Sequence, residues 1–170
     1  MSRFIFSLLL VLSSHPAGAQ DVTGLMTSVV NGGQTDWQIT GEHSNRKSFF
    51  RQHPGSVQVK ISGLAENFSG QRGSSALSVG FYLDESSDMP LAEEVDVVFT
   101  ERLSTGAYVT AGHGAGSIIQ LDSATKSGEV LSLKGSFEVT LVYTDDFGVT
   151  LNKFNTRHIR GSFDTSLQRR

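Results

Sequence analysis

The chain has no cysteine, three prolines and a single tryptophan in 170 residues. Zero cysteine excludes a disulfide framework and a thiol nucleophile. It also excludes a lipid anchor at the first residue after a bacterial leader, which would require cysteine. Long apolar runs are absent too: no stretch reaches the eighteen or so residues of a membrane-spanning helix. Positive charge is scarce. Fourteen basic residues face seventeen acidic ones, for a formal charge of −3. The one close basic group, Arg46, Lys47 and Arg51, is too small for a nucleic-acid footprint, so nucleic acid is not an expected partner. Helical periodicity is almost missing, which excludes bundles and crossover α/β folds.

What is present begins at the N-terminus. Arg3 precedes the apolar run Phe4 to Leu12, and the small residues Ala17-Gly18-Ala19 follow. That is the layout of a cleaved export signal, with the cut expected before Gln20. These nine residues, apolar but for Ser7, span about 14 Å as a helix against roughly 30 Å of hydrocarbon, so the segment reads as a signal rather than an anchor. The expected domains are therefore a signal peptide at 1–19 and one β-sandwich domain at 20–170. The mature chain would carry thirteen basic and seventeen acidic residues. The expected location is the bacterial periplasm or beyond it, with no membrane insertion after cleavage.

The remainder alternates. Leu77, Val79, Phe81 and Leu83 take one parity against Ser78, Gly80 and Tyr82, and Val57, Val59 and Ile61 oppose Gln58 and Lys60. Val95, Val97 and Phe99 likewise oppose Glu94 and Asp96. The longest run, Leu131 to Tyr143, keeps Leu131, Leu133, Gly135, Phe137, Val139 and Leu141 on one side. This is the two-residue period of half-buried strands. Gly135, inside that run, predicts a bulge or bend. Further strands are expected near 23–30, 37–41, 107–111, 117–122 and 157–167, with turns at Asn31-Gly32-Gly33 and Asp145-Asp146-Phe147-Gly148. One helical turn is expected at Pro90 to Glu94, capped by Asp88. About nine short strands predict an all-β fold: a single antiparallel β-sandwich, with a jelly roll as one form of it.

The segments Gly135-Ser136-Phe137-Glu138 and Gly161-Ser162-Phe163-Asp164 echo one another. They predict two equivalent paired strands whose Phe and Leu residues enter one core while the acids face water. Together with the Asn31-Gly32-Gly33 turn and Trp37, they resemble a pattern of small exported bacterial β-sandwich proteins of uncharacterised function. The resemblance supports the fold and implies no catalytic residue.

Organised chemistry is thin. Outside the leader the histidines are His43, His53, His113 and His158, without the spacing that sets two imidazoles side by side. Gly112-His113-Gly114-Ala115-Gly116 lacks the final glycine of a dinucleotide loop, having Ser117 there, and reads as a flexible connection over which His113 could meet a ligand. Asp84, Glu85 and Asp88 resemble a calcium loop, but Met89 and Val95 replace the Gly and Glu of an EF-hand; a solvated acidic turn is the other reading. Asp145-Asp146 reads as a hairpin turn rather than a glycosidase pair. Aromatics remain. Tyr82 and Tyr108 take outward parities and Trp37 follows a turn, so these three and His113 are the candidate ligand-binding residues, with core packing as the competing role for Trp37.

The expected function is that of an exported, non-enzymatic binding or accessory domain at the cell envelope, its partner a protein or a glycan and no cofactor required. The alternative is a periplasmic hydrolase or lyase assembled from distant residues, with His113 and Asp145-Asp146 as the groups to test.

Overall fold

The computed structural model describes residues 22–30, 32–41, 47–65, 75–85, 91–101, 105–111, 116–146 and 148–170. The expected signal segment with its expected cleavage point, Asp88, Pro90 and His113 lie outside these residues. Ten strands follow in order: β1 (Val22–Val30), β2 (Gly33–Thr40), β3 (Phe49–His53), β4 (Ser56–Ala65), β5 (Ala76–Asp84), β6 (Ala92–Thr100), β7 (Ala107–Thr110), β8 (Ile118–Ser127), β9 (Val130–Thr144) and β10 (Asn152–Gln168). They make one antiparallel sheet, and no helix occurs among the described residues. The expected all-β, antiparallel class is the one observed.

The sheet closes on itself. Hydrogen bonding runs β10-β1-β2-β4-β5-β6-β7-β9, and β9 pairs again with β10, so eight strands form a ring. β3 and β8 stand outside it, on the first halves of β4 and β9. At that end β3-β4-β5-β6 and β8-β9-β10-β1-β2 face each other as the two layers of a sandwich. The C-terminus ties the layers together: Phe50 of β3 bridges Arg169, and its carbonyl accepts from the Arg170 amide at 2.9 Å.

Inward-pointing side chains fill the interior. Phe81 on β5 meets Phe163 on β10 with ring centroids 6.3 Å apart, and Trp37 on β2 stands edge-on to Phe99 on β6 at 6.1 Å. Both pairs reach across the ring, so its inside is packed core rather than lumen.

The two G-S-F segments pair with each other. Ser136 opposes Ser162, while Phe137 opposes Gly161 and Phe163 opposes Gly135. A Cβ at Gly135 would lie 3.0 Å from the Phe163 ring, and one at Gly161 would lie 2.7 Å from the Phe137 ring. Each phenyl therefore occupies the space that the glycine across from it vacates. Phe137, Leu141, Phe163 and Leu167 are buried, with Glu138 and Asp164 exposed, as the alternation predicts.

Two expectations are corrected and one strand is added. Ala92 to Glu94 begin strand β6 rather than a helical turn, because Glu93 pairs with Tyr82 and Ala92 with Leu83. The irregularity expected at Gly135 falls across from it, where β8 slips by one residue between Leu121 and Ser123. β3 was not anticipated, since Phe49-Phe50-Arg51-Gln52 does not alternate. Its turn signal is Pro54-Gly55, where Gly55 takes a φ of +79°.

Candidate functional site

The outer face of β4, β5 and β6 carries the residues of polar parity. Register aligns them in rows across the strands. Phe49, Lys60, Gly80 and Asp96 form one row, and Arg51, Gln58, Tyr82 and Glu93 form the next. Ser62, Ser78 and Val98 form a third. Gly80 interrupts the middle row, leaving a groove of about 420 Å³ walled by Phe49, Gln58, Lys60, Tyr82, Glu94 and Asp96.

One of the two glycines inside these strands is dictated by packing. A Cβ at Gly63 would lie 2.8 Å from both Met26 and Trp37 side-chain atoms. Gly80 differs, because its nearest atom would be the Asp96 carbonyl oxygen at 3.5 Å, an ordinary contact. Neither sterics nor a left-handed φ requires glycine there. What its small size does is keep the floor open.

A bulge shapes the far wall. Between Gly80–Asp96 and Tyr82–Glu93 the β6 strand holds one residue more than β5, and Glu94 takes a φ of +49°. Strict alternation from Val95 would turn Glu93 into the core. The bulge lets Glu93 and Glu94 both face solvent while Val95 stays buried. A left-handed glutamate is strained by roughly 1–2 kcal/mol, and such strain concentrates at ligand sites.

The walls are partly fixed. Gln58 donates to the Tyr82 hydroxyl at 3.2 Å, and the Tyr82 ring lies 6.0 Å from that of His53. Thr110 donates to one carboxylate oxygen of Asp96 at 3.0 Å. Lys60 and Glu94 have no ion-pair partner among the described residues. The ring of Phe49 lies under the guanidinium groups of Arg51 and Arg170, at 5.7 and 5.2 Å. A half-exposed aromatic edge, an amide, two carboxylates and an ammonium thus converge on one open floor. No protein-family model and no curated protein matches this chain.

The other sequence candidates stand elsewhere. Trp37 is buried in the core and donates from its indole N–H to Ser28 Oγ at 2.9 Å. It offers no surface platform. Tyr108 is corrected as well: its ring is buried against Tyr143 and Phe99, and Arg157 covers it at 4.8 Å. Its outward parity is an expectation from the short stretch 107–111, of which Ala107–Thr110 form the strand. Thr110, the polar residue of the same parity, lies beyond the last β6 pair at Val109 and turns its hydroxyl to Asp96. Glu85 is engaged by Gln52 at 2.6 Å and Lys126 at 3.2 Å, and Asp84 closes β5. Among the described residues no cluster of three metal-ligating side chains occurs.

Asp146 is a turn staple. Its Oδ1 accepts from Thr144 Oγ1 and from the Thr150 amide, both at 2.8 Å. Hydrogen bonds from Thr150, then from Thr144, hold its carboxyl down to about 2. A group so tied to its own hairpin is a poor proton donor at neutral pH.

Of the four aromatic and histidine candidates, the described residues bring only Tyr82 to a groove. Gln58, Lys60, Gly80, Glu94 and Asp96 take the outward parity in the sequence, yet their convergence depends on register. The usable sign in the sequence was the consecutive pair Glu93-Glu94 ahead of a buried parity.

Proposed function

We propose that this chain is an exported, non-enzymatic module that binds a neutral glycan of the bacterial cell envelope in the groove over Gly80. The carrying observation is that open floor, bounded by Tyr82 and by polar groups able to pair with sugar hydroxyls. An aromatic face covers the apolar C–H side of a sugar ring. Carboxylate, amide and ammonium groups supply oriented donors and acceptors around it. The outward charges of Lys60, Asp96 and Glu138 support a solvated exterior, the reverse of the lipid-facing band of an outer-membrane barrel. The N-terminal layout and the resemblance to small exported β-sandwich proteins support the location.

Titration with neutral envelope oligosaccharides tests the reading. Tyr82→Ala and Gly80→Val are each expected to weaken binding by about tenfold or more, equivalent to roughly 1.4 kcal/mol, with the melting temperature held within a few degrees. Equal affinity in both variants overturns it. Turnover of the bound sugar, abolished in Glu94→Gln or Asp96→Asn, would favour the hydrolase alternative.

A second reading, a protein partner, is favoured by one feature. β8 pairs only with β9 among the described strands, leaving an edge to which an extended segment could add. A partner bound this way would be insensitive to Tyr82→Ala.

A further inference from the structure

The opposite layer carries a second set of rows. Asp36, Thr27, Ser162, Ser136 and Gln120 align across β2, β1, β10, β9 and β8. Beside them run Gln34, Val29, Arg160, Glu138 and Ile118. The first row is short in its middle, where Thr27 and Ser162 share a hydrogen bond of 3.1 Å and Ser136 follows. The second is long. The step between them is a groove of about 440 Å³ with a hydroxyl floor. Five strands at about 4.8 Å spacing make its course roughly 19 Å, enough for a short oligosaccharide.

Arg160 is the distinctive group. Its cross-strand neighbours are Val29, which is apolar, and Glu138. The Glu138 carboxylate is engaged by His158 at 3.0 Å. Arg160 therefore has no ion-pair partner among the described residues, though it stands over a floor of hydroxyls and amides. A guanidinium presents a planar fork matched to a carboxylate. The hydroxyls of Thr27, Ser162 and Ser136 and the amides of Gln34 and Gln120 suit a polyhydroxylated chain. Glu138 in the same row disfavours a doubly charged phosphate and leaves a singly charged carboxylate as the better anion.

We infer that this groove binds a uronate-bearing oligosaccharide, with Arg160 holding the sugar carboxylate and the Thr27-Ser162-Ser136 row holding its hydroxyls. The site is separate from the groove over Gly80 and does not depend on it. The chain would then grip glycan on both faces, acidic on one and neutral on the other.

Calorimetric titration of the full domain with a galacturonate tetramer, and with the matching neutral galactose tetramer, tests this. The uronate is expected to bind at least tenfold more tightly, the preference shrinking as salt rises. Arg160→Ala should remove the preference, and Ser162→Gln, which fills the floor, should reduce affinity for both tetramers at this groove. Tyr82→Ala should leave uronate binding unchanged, so failure of one groove is distinguishable from failure of the other. Because Arg160 is exposed, its variant is expected to melt with the parent. Uronate binding that is absent in the parent, or undiminished in Arg160→Ala, overturns the inference.

Discussion

Two single residues, Glu94 and Asp146, act on stability with opposite signs. Glu94 sits at φ +49°, where glycine would rest without strain. Relief of about 1–2 kcal/mol exceeds the 0.5–1 kcal/mol or so that glycine adds to unfolded-chain entropy. Glu94→Gly is therefore expected to raise stability by about 0.5–1 kcal/mol, or roughly 1–4 °C, while weakening the proposed glycan binding through loss of the carboxylate. A thermal melt and a titration on the same variant check both. Asp146 works in the other sense. Its carboxyl is held near 2, below the ordinary 3.8, by hydrogen bonds from Thr150 and Thr144. A depressed acid contributes stability that is complete above pH 3.8 and is lost as the pH falls through about 2. The melting-temperature gap between the parent and Asp146→Ala should thus be constant at neutral pH and narrow in strong acid. A gap that widens on acidification would contradict the assignment.

At the scale of strands, the reciprocal glycine and phenylalanine pairs of β9 and β10 fix the register of the longest ladder. A Cβ at Gly161 would run into the Thr27 carbonyl oxygen on β1 and lie 2.7 Å from the Phe137 ring. A backbone oxygen in a paired strand cannot yield, so Gly161→Ala is expected to cost about 1–3 kcal/mol, measured by denaturant titration. Gly80→Ala, with no contact closer than 3.5 Å, should be close to neutral. This contrast bears on how far the sequence could be read. Parity was legible: the buried sides of β4, β5, β6 and β9 are those that alternation assigns. The echo of the G-S-F segments even pointed to the pairing of β9 with β10. Register was not legible, because rows such as Phe49-Lys60-Gly80-Asp96 join residues from four separate strands. Nor was the bulge at Asp122, and that at Glu94 shows only in the adjacent acids Glu93-Glu94, since one extra residue leaves the local pattern almost unchanged while reversing everything beyond it. Tyr108 was misread for the same reason in miniature: four residues hold too few repeats of a two-residue period to fix a face.

Across the whole molecule, the decisive feature is the last strand. β10 is hydrogen-bonded to β1 on one side and to β9 on the other, so 142 positions separate Thr23 from the Thr165 hydroxyl that its carbonyl accepts from. Without β10 the ring has no closure, and the buried faces of β1, β5 and β9 lose Ile159, Phe163 and Leu167. A chain ending at Thr150 is expected to lack the cooperative melt and the protease resistance of the full domain, and a fragment that retained both would refute this account of closure. Contacts of such long range also make folding slow relative to a helical domain of similar size. Both ends of the described ladder must therefore be present before the ring can close. Until then the growing chain has no closed core to resist being pulled straight.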